Sequence, residues 1–281
     1  MNDSPKAPIL GLRVGILQSR DAHHLSKQLK VRGAHVISAP VLREQPTDCS
    51  LEIAHLIDAL TVKNIHVCVL QTGVGVDALF KKAALLGREE ELRDGLNRST
   101  CVARGPKPVG ALRKRGVTNY RQIASPYTTY ELIDTLCDIN LAPTVDAPNV
   151  AVIHYGERNE KLTGLLATLS NTVFELFVYR WELPENLDPV SDLIDEVLDG
   201  KVDVIAFTSQ IQVRHLMTIA DQLGVKHGLT NAIQNTTVAA IGPTCATALR
   251  RMGVSPDIVP EHPKMGHMVR EISKRFALVP A

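Results

Sequence analysis

At roughly 150 residues per domain, a chain of 281 residues is long enough for two domains. Hydrophobic residues make up 44% of the sequence and charged residues 22%, values that exclude a disordered, collagen-like or low-complexity protein. The 31 basic and 30 acidic residues give a net charge of +1, which argues against electrostatic binding of nucleic acid or of an anionic membrane by the chain as a whole.

Short runs rich in β-branched residues alternate with stretches of helical periodicity along the chain. The predicted strands cover residues 14–17, 66–70, 150–154, 172–178, 202–207 and 237–241. The predicted helices cover residues 24–31, 76–86, 162–169, 213–223 and 245–252. Strands that are apolar on both faces and alternate with helices are typical of parallel sheets with helices on each side. The sequence therefore predicts an α/β fold with doubly wound parallel sheets.

Five cysteines are spread along the chain without a CxxC pair: Cys49, Cys68, Cys101, Cys137 and Cys245. Their odd number and spacing argue against a disulfide framework and a zinc site, and favour a reducing compartment. The N-terminal sequence MNDSPKAPIL lacks a basic segment followed by an apolar one, and no apolar run approaches the roughly 20 residues that cross a bilayer. The 5 Phe, 5 Tyr and 1 Trp supply few base-stacking positions. We therefore expect a cytoplasmic protein that binds neither membranes nor nucleic acid.

The chain contains an internal duplication. TCVARGPKPVGALRKRGV at 100–117 and TVAAIGPTCATALRRMGV at 237–254 share nine of eighteen positions at an offset of 137. The preceding strand and turn also correspond, since VCVLQT at 67–72 lies opposite DVIAFT at 203–208. Gly-Pro and Ala-Leu-Arg-x-x-Gly-Val stay in register in both copies, which chance similarity between two α/β stretches does not explain. The sequence therefore predicts two similar α/β units.

Each copy carries two strand-to-helix turns of the same type. The four turns are Thr72-Gly73, Thr208-Ser209, Gly105-Pro106 and Gly242-Pro243. Glycine allows close backbone approach, proline suits the first helical turn, and Thr or Ser can cap the helix. Such turns direct backbone N–H groups at carboxylates or phosphates, at the sheet edge where ligands bind in doubly wound folds. The alternative is that these turns are only well-formed helix starts.

Positive charge accompanies one of these turns, because Arg104 and Lys107 flank Gly105-Pro106. The Gly-Val-Gly at 73–75 is not a dinucleotide fingerprint, since it lacks the third glycine and an acidic residue about 20 positions further on. The sequence also lacks a Walker A motif. The turns therefore predict binding of anionic groups rather than a nucleotide-binding loop.

Four further segments carry motifs in a consistent order. TVAAIGPTCATALRRMGVSPDIVPEHPKMGHMV at 237–269 reads as a strand, a Gly-Pro turn, a helix and a proline-containing tail. IAFTSQIQVRHLM at 205–217 contains a Phe-Thr-Ser turn, VYRW at 178–181 an extended Val-Tyr-Arg segment, and ILQSR at 16–20 ends a strand in arginine. Together these segments resemble the uroporphyrinogen-III synthase family, and the resemblance extends over nearly the whole chain.

The resemblance implies two α/β domains joined by a two-stranded hinge that the chain crosses twice. Composition alone would divide the chain between the two copies, near residues 141–149. The resemblance instead implies a discontinuous domain of residues 1–42 and 182–281 and a continuous domain of residues 43–181. The hinge would consist of residues 40–46 and 179–184, and we expect a monomer.

The family cyclises the linear tetrapyrrole hydroxymethylbilane, inverts ring D and releases water, and no metal or organic cofactor takes part. The resemblance therefore implies a lyase of porphyrin and heme biosynthesis with a polycarboxylate substrate. Tyr179 matches the position of the family's candidate for assisting the leaving hydroxyl. The other expected site residues would bind substrate through amides, hydroxyls and cations: Arg20, Thr72, Gly73, Arg104, Gly105, Lys107, Tyr155, Gly156, Thr208, Ser209, Gly242, Thr244 and Cys245.

Two positions depart from the family pattern. Where the family usually has threonine early in the helix after each glycine turn, this sequence has Pro108 and Cys245, with Thr244 adjacent to the latter. The first copy also resembles family members associated with transcriptional regulators, although no winged-helix domain follows the last predicted helix. The alternative hypothesis is a catalytically weak homologue that binds a tetrapyrrole or another polycarboxylate. A two-lobed binding protein for small anions is a third, but it would share neither the VYRW nor the IGPT signature.

Simpler interpretations also apply to several of these residues. Tyr179 could pack in the hinge without a chemical role, since a buried tyrosine usually finds a hydrogen-bond partner. Cys245 at a helix N-terminus would in principle have a lowered thiol pKa, but it is also a small residue suited to a tight turn. His262 and His267 lie in a proline-flanked loop without a third metal ligand in the sequence nearby.

Overall fold

The computed structural model describes residues 9–19, 22–139 and 148–277. Its strands are β1 Arg13–Ile16, β2 His35–Ser38, β3 Arg43–Pro46, β4 Val67–Leu70, β5 Thr100–Ala103, β6 Tyr120–Gln122, β7 Asn149–Ile153, β8 Thr172–Leu176, β9 Tyr179–Glu182, β10 Val204–Phe207 and β11 Thr237–Ala240. Its helices are α1 Ala22–Lys30, α2 Ser50–Thr61, α3 Gly73–Leu85, α4 Glu89–Arg98, α5 Pro106–Lys114, α6 Thr129–Asp138, α7 Glu160–Leu169, α8 Asp188–Leu198, α9 Gln210–Gln222, α10 Lys226–Gln234, α11 Pro243–Arg251 and α12 Met265–Ala277. None of the helices in the described ranges combines the length and apolar character that crossing a membrane requires.

The chain folds into two compact units. Unit 1 combines the described residues up to Arg43 with those from Glu182 onward, and unit 2 runs from Glu44 to Trp181. The sheet of unit 1 has the strand order β11-β10-β1-β2, and that of unit 2 has the order β6-β5-β4-β7-β8, with parallel pairing throughout both. β3 and β9 pair as a separate two-stranded sheet where the chain passes between the units. The predicted α/β class with parallel sheets is confirmed.

Strand β4 shows why the central strands read as continuous apolar runs. Val67 and Val69 face a core that includes residues of α6 and α7, whereas Cys68 and Leu70 face a second core formed with α2 to α5. All four side chains are buried, because helices cover both faces of the sheet. Leu70 is in register with the last residues of β5 and β7. The residues that follow these three strands therefore leave the sheet at one edge.

The strand orders of the two units agree with the internal duplication. The order β5-β4-β7-β8 in unit 2 matches β11-β10-β1-β2 in unit 1, with β4 and β10 each preceding a Thr-containing turn. β1 and β2 come from the first copy of the repeat but belong to unit 1, and their counterparts β7 and β8 come from the second copy but belong to unit 2. The two copies have therefore exchanged their first two strands. The counterpart of β6 in unit 1 is a single bridge between Ala239 and Ile258.

The structure corrects one predicted strand and adds elements that the sequence pattern did not indicate. The predicted strand 172–178 is two strands, because β8 ends at Leu176 and β9 begins at Tyr179. Thr47 binds the intervening segment: its hydroxyl donates to the Phe177 carbonyl and its backbone N–H donates to the Val178 carbonyl over 3.4 Å. Beyond the predicted ranges, the structure has the strands β2, β3, β5 and β6 and the helices α2, α4, α5, α6, α8, α10 and α12. Of these, β5 and α5 flank the predicted Gly105-Pro106 turn, and β3 lies in the predicted hinge.

Candidate functional site

The first turn of unit 2 is built around Thr72, which follows β4 and caps α3. The Thr72 hydroxyl oxygen accepts a hydrogen bond from the Gly75 N–H over 2.9 Å, as expected for an N-cap residue. A Cβ atom on Gly75 would lie 3.0 Å from this oxygen, so glycine at this position leaves room for the cap. The predicted capping role of Thr72 therefore corresponds to its geometry in the structure.

The two predicted turns of unit 2 lie against each other. A Cβ atom on Gly73 would lie 2.9 Å from the backbone oxygen of Lys107, a distance that real Cβ atoms essentially never show. Gly105 is also enclosed, since its Cβ position is 3.4 Å from the ring of Tyr127. The Lys107 side chain is exposed to solvent. The N-termini of α3 and α5 consequently lie side by side at the carboxyl edge of the sheet.

Tyr179, at the start of β9, reaches the first turn. Its hydroxyl is 3.1 Å from the Thr72 hydroxyl oxygen, so the two groups share a hydrogen bond. The side chain is buried, with 2% of its surface exposed, and its ring meets that of Trp181 edge-on at 5.3 Å. The structure therefore places the residue expected to assist chemistry next to the helix N-terminus expected to bind anions.

Arg104 is held at the second turn by two aromatic residues. Its Nε donates to the Tyr127 carbonyl over 3.2 Å, and its guanidinium carbon lies 5.0 Å from the centre of the Tyr155 ring. Tyr127 has a φ of +63°, a left-handed backbone conformation that is rare for residues other than glycine and that often occurs at functional sites. Within the part of the chain that the structure describes, the two Nη groups of Arg104 have no hydrogen-bond acceptor. They are therefore available to a carboxylate.

Tyr155 and Gly156 form the neighbouring wall. The Tyr155 hydroxyl donates to Glu157 over 3.3 Å, and the Tyr155 carbonyl accepts from the Trp181 indole N–H over 2.7 Å. Gly156 has a φ of +88°, and a Cβ atom there would lie 2.3 Å from the Trp181 indole nitrogen. Trp181 therefore requires glycine at position 156, and it connects Tyr155 to the strand that carries Tyr179.

The corresponding turn in unit 1 is closed by a different residue. Ser209 occupies the N-cap position of α9, but its side chain makes no capping hydrogen bond. Instead the Thr208 N–H donates to Gln212 Oε1 over 2.7 Å, and Gln212 Nε2 donates to the Thr208 hydroxyl over 2.9 Å. Gln212 is 2% exposed. The turn of unit 1 is thus closed by a glutamine of the same helix, Gln212, and not by the side chain of its N-cap residue.

Of the two interpretations of Cys245, the geometry favours a small residue packed at a tight turn over a reactive thiolate. Its side chain is buried and its thiol donates to the Phe207 carbonyl, with a sulfur–oxygen distance of 3.6 Å. Burial raises the pKa of the Cys245 thiol to about 12, against the lowering effect of a backbone hydrogen bond at Ile241. The neighbouring Thr244 is exposed, and a Cβ atom on Gly242 would lie 2.8 Å from the Cβ atom of Pro263. Any contribution of Cys245 to binding therefore comes from its backbone.

Three residues weighed in the sequence analysis remain: Arg20, His262 and His267. Arg20 lies outside the described residues. The rings of His262 and His267 pack edge-on with their centres 5.1 Å apart. Within residues 9–19, 22–139 and 148–277, no group of three or more His, Cys, Asp or Glu side chains is arranged to hold a metal ion.

Sequence reasoning missed Tyr127, Trp181 and Gln212 as parts of these turns. Tyr127 follows the edge strand β6 and therefore lies at the same sheet edge as the predicted turns, which is the one signal that could have identified it. Trp181 belongs to the VYRW motif, but nothing in that motif indicates its contact with Tyr155 and Gly156. Gln212 lies three residues after the N-cap residue of α9, a position from which a long polar side chain can reach back to the turn.

The chain is similar to several known proteins over most or part of its length. The protein YjjA of Bacillus subtilis (strain 168), named as an uncharacterized protein, is 26% identical over 274 residues that cover 95% of this chain and 97% of its own. The uroporphyrinogen-III synthase of Chlorobaculum parvum (strain DSM 263 / NCIMB 8327) is 35% identical over 98 residues, 35% of this chain and 37% of its own. A crystal structure of a mutant uroporphyrinogen III synthase from the extremely thermophilic bacterium Thermus thermophilus matches 95% of this chain and 99% of its own with a TM-score of 0.75.

The identity to the Thermus protein is 24%, so this likeness establishes the fold alone. The family model described as uroporphyrinogen-III synthase HemD matches residues 23–270, which include every described turn discussed above. On that match, the chain belongs to the uroporphyrinogen-III synthase family.

Proposed function

We propose that this protein is a uroporphyrinogen-III synthase, a lyase that cyclises hydroxymethylbilane with inversion of ring D and loss of water. The observation that carries the proposal is the hydrogen bond of 3.1 Å between the Tyr179 and Thr72 hydroxyls at the N-terminus of α3. This pair combines a phenol with the positive end of a helix, beside an arginine whose Nη groups face no acceptor in the described structure.

Tyr179 would assist departure of the substrate hydroxyl. The Thr72 oxygen already accepts from the Gly75 N–H, so its own hydroxyl proton can be donated to the Tyr179 oxygen. In the reaction, the phenol would donate a hydrogen bond to the hydroxymethyl oxygen of the substrate. As the carbon–oxygen bond of the hydroxymethyl group breaks, its electron pair stays on the departing oxygen, which the phenol stabilises, and the carbon becomes part of a cationic azafulvene. Such assistance is typically worth about 10²–10⁴ in rate.

Arg104 and the N-terminus of α5 would bind carboxylates of the substrate. Tyr127 and Tyr155 fix the guanidinium plane, and its two Nη groups match the two oxygens of an acetate or propionate group. The exposed ammonium of Lys107 adds charge next to them. Because the substrate carries many carboxylates, binding at this position would orient the chain for ring closure, and positioning supplies much of the catalysis in such reactions.

The direct test is to supply hydroxymethylbilane and to separate isomers I and III after oxidation to porphyrins. An active synthase yields isomer III faster than the spontaneous closure that yields isomer I. Isomer I alone in the presence of the protein contradicts the proposal. Reactions with boiled protein give the spontaneous background.

A second candidate function is binding of a polycarboxylate without efficient cyclisation. Two observations favour it: the Tyr179 ring is only 2% exposed, and both Pro108 and Cys245 are buried where the family usually has threonine. In this case the protein would bind uroporphyrin with an affinity that falls as salt rises, because exposed cations are screened. It would form no isomer III from hydroxymethylbilane.

We also propose that the protein is a cytoplasmic monomer that needs no cofactor, and that its domains comprise residues 1–42 with 182–281 and residues 43–181. Light scattering after gel filtration tests the monomer. A mass near twice 30.7 kDa would contradict it. Full activity after exhaustive dialysis against a chelator tests the absence of a required metal ion.

A further inference from the structure

A series of hydrogen-bonded polar side chains, three of them buried and one half-buried, begins at the residue before Thr72 in unit 2. His154, at the end of β7, is fully buried, and its Nε2 lies 2.9 Å from Glu175 Oε2 on β8. Its Nδ1 lies 3.3 Å from the side-chain nitrogen of Gln71, the residue before Thr72. Gln71 Oε1 in turn accepts from Asn159 Nδ2 over 3.4 Å. This chain, from Glu175 through His154 and Gln71 to Asn159, is called the polar relay below.

The direction of every hydrogen bond in the polar relay is fixed by the helix that Asn159 caps. Asn159 Oδ1 accepts from the Leu162 N–H over 3.3 Å at the start of α7, so Asn159 must direct its NH₂ group at Gln71. Gln71 then presents its oxygen to Asn159 and its NH₂ group to His154. His154 Nδ1 must therefore be an acceptor without a proton, and the single ring proton lies on Nε2, which donates to Glu175.

His154 also contacts the segment that carries Tyr179. Its ring stacks on that of Phe177, with centres 4.4 Å apart and planes inclined by 12°. Its backbone N–H donates to the Leu176 carbonyl over 2.9 Å. The imidazole thus contacts Gln71, the residue before Thr72, through Nδ1. One face of its ring contacts Phe177, two positions before Tyr179.

We propose that His154 is a positioning residue, whose neutral Nε2–H form holds the Thr72 and Tyr179 hydroxyls at their mutual distance. Where it concerns reaction rate, this inference rests on the proposed function; where it concerns the geometry of Tyr179, it does not. Glu175 supports the imidazole from the outside, since its carboxylate also binds Arg158 through bonds of 2.6 and 2.8 Å.

Protonation of His154 would break the polar relay. A proton on Nδ1 would face the NH₂ group of Gln71, and rotation of the Gln71 amide would only bring its NH₂ group against that of Asn159. The charged groups around His154 are Glu175 on β8, Arg158 in the loop after β7 and Glu160 at the start of α7. Burial lowers the pKa of His154, against the raising effect of the Glu175 carboxylate, so the neutral form is the one the fold favours.

Two substitutions separate the two sides of the imidazole. The side-chain amide of asparagine falls near the position of Nδ1, so H154N keeps an acceptor for Gln71. The side-chain amide of glutamine falls near the position of Nε2, so H154Q keeps a donor for Glu175. H66Q is the matched control, because His66 lies at the opposite end of β4 and accepts from the Asn149 N–H.

We expect H154Q to lower kcat for isomer III by about tenfold or more with KM within about twofold of wild type, since small misplacements are costly in rate. H154N should lose less, and H66Q should match wild type. Equal losses in H154N and H154Q, or no loss in either, would overturn the inference.

The sole tryptophan of the chain supplies a readout that does not depend on activity. Trp181 packs edge-on against Tyr179, so its emission reports on the Tyr179 environment. In wild-type protein we expect ¹⁵N NMR of the imidazoles to show His154 protonated on Nε2 alone at neutral pH, and Trp181 emission to change on acidification together with protonation of His154. A proton on Nδ1 at neutral pH, or Trp181 emission indifferent to His154 protonation, would overturn the inference. If wild-type protein forms no isomer III, the proposed function fails while these two measurements still decide the role of His154.

Discussion

Thr72 and Ser209 occupy corresponding N-cap positions in the duplicated turns, yet only Thr72 makes a capping hydrogen bond. Thr72 caps α3 and shares a hydrogen bond with Tyr179, whereas the Thr208 hydroxyl is bound by Gln212 from within α9. The second turns differ in the same sense, since Arg104 and Lys107 in unit 2 correspond to Ile241 and Thr244 in unit 1. Both units therefore keep the helix-initiating turns, while the hydrogen bond to a tyrosine and the two basic residues at the second turn belong to unit 2.

Tyr179→Phe should have the largest effect, because it removes only the hydroxyl that Thr72 binds in unit 2. The isomer III rate should fall by about 10²–10⁴, with a rise in isomer I from spontaneous closure. Tyr120→Phe is the matched control, because the Tyr120 hydroxyl binds Arg113 away from the turns. Isomer III formation at the wild-type rate in Tyr179→Phe would exclude the phenol from the reaction.

Gly73→Ala tests whether the close approach of the two turns is specific to unit 2. The new methyl group would lie 2.9 Å from the Lys107 backbone oxygen, and such overpacking typically costs about 1–3 kcal/mol in the free energy of unfolding. Gly110→Ala, in α5 with open space around its Cβ position, should instead raise that free energy by about 0.5–1 kcal/mol. Urea titrations of both variants give the two signs, and a gain in stability for Gly73→Ala would contradict the described packing.

Gln212→Ala tests the turn of unit 1. Without the glutamine, the Thr208 N–H loses its acceptor, which should lower the free energy of unfolding by about 1–3 kcal/mol. Gln222→Ala at the exposed end of the same helix should change it by less than about 0.5 kcal/mol. Equal stabilities of the two variants would mean that Gln212 does not hold the turn.

Arg104→Met tests whether the positive charge at the second turn of unit 2 contributes to substrate binding. We expect KM for hydroxymethylbilane to rise by about tenfold, because a hydrogen-bonded carboxylate would lose its guanidinium partner. The salt dependence of uroporphyrin binding should also weaken. Arg113→Met removes a second arginine that packs on a tyrosine, at 5.5 Å from the Tyr120 ring, and should leave both quantities unchanged. Unchanged KM and salt dependence in Arg104→Met would remove this side chain from the substrate contacts.

The smallest expected effect is on stability in acid, and it is confined to the polar relay of unit 2. The pKa of His154 is lowered in the folded protein, so below its ordinary value of 6.5 the unfolded chain binds a proton that the folded chain does not. The free energy of unfolding should therefore fall as pH drops below 6.5, by at most about 1.4 kcal/mol per pH unit, until His154 protonates in the fold. The pKa of Glu175 is also lowered, chiefly by Arg158, so its contribution is lost only at lower pH, below its ordinary value of 4.5. The measurement is the free energy of unfolding as a function of pH. If wild type and H154N have the same slope between pH 4.5 and 6.5, groups other than His154 cause the effect.

The sequence predicted the features that depend on local chemistry. Alternating apolar strands and helices identified the fold class, and the repeated Gly-Pro and Thr-containing turns identified the edges at which helix N-termini lie. The expectation for Tyr179 came from the family resemblance, because nothing in the periodicity relates it to Thr72, 107 residues away.

The remaining features depend on contacts between distant residues or on helix phase. Arg104 is oriented by Tyr127, whose left-handed backbone no local pattern announces. The position of Cys245 at a helix N-terminus left both a reactive thiol and a small packed residue open, and only the phase of α11 shows that the side chain points at β10 and into the core. The polar relay could not be predicted from the sequence, because its members come from three separate parts of unit 2 and come into contact only in the folded sheet.

The exchange of the first two strands between the copies has a consequence for synthesis on the ribosome. Every strand of the five-stranded sheet in unit 2 has emerged once residue 181 has left the exit tunnel, so this unit can close while the chain is still growing. β1 is central in its own sheet and must wait for β10, which begins 188 residues after β1 ends. The segment of β1, α1 and β2 is therefore synthesised before unit 2 but completes its sheet only after unit 2 can close, which gives a chaperone a long opportunity to bind it.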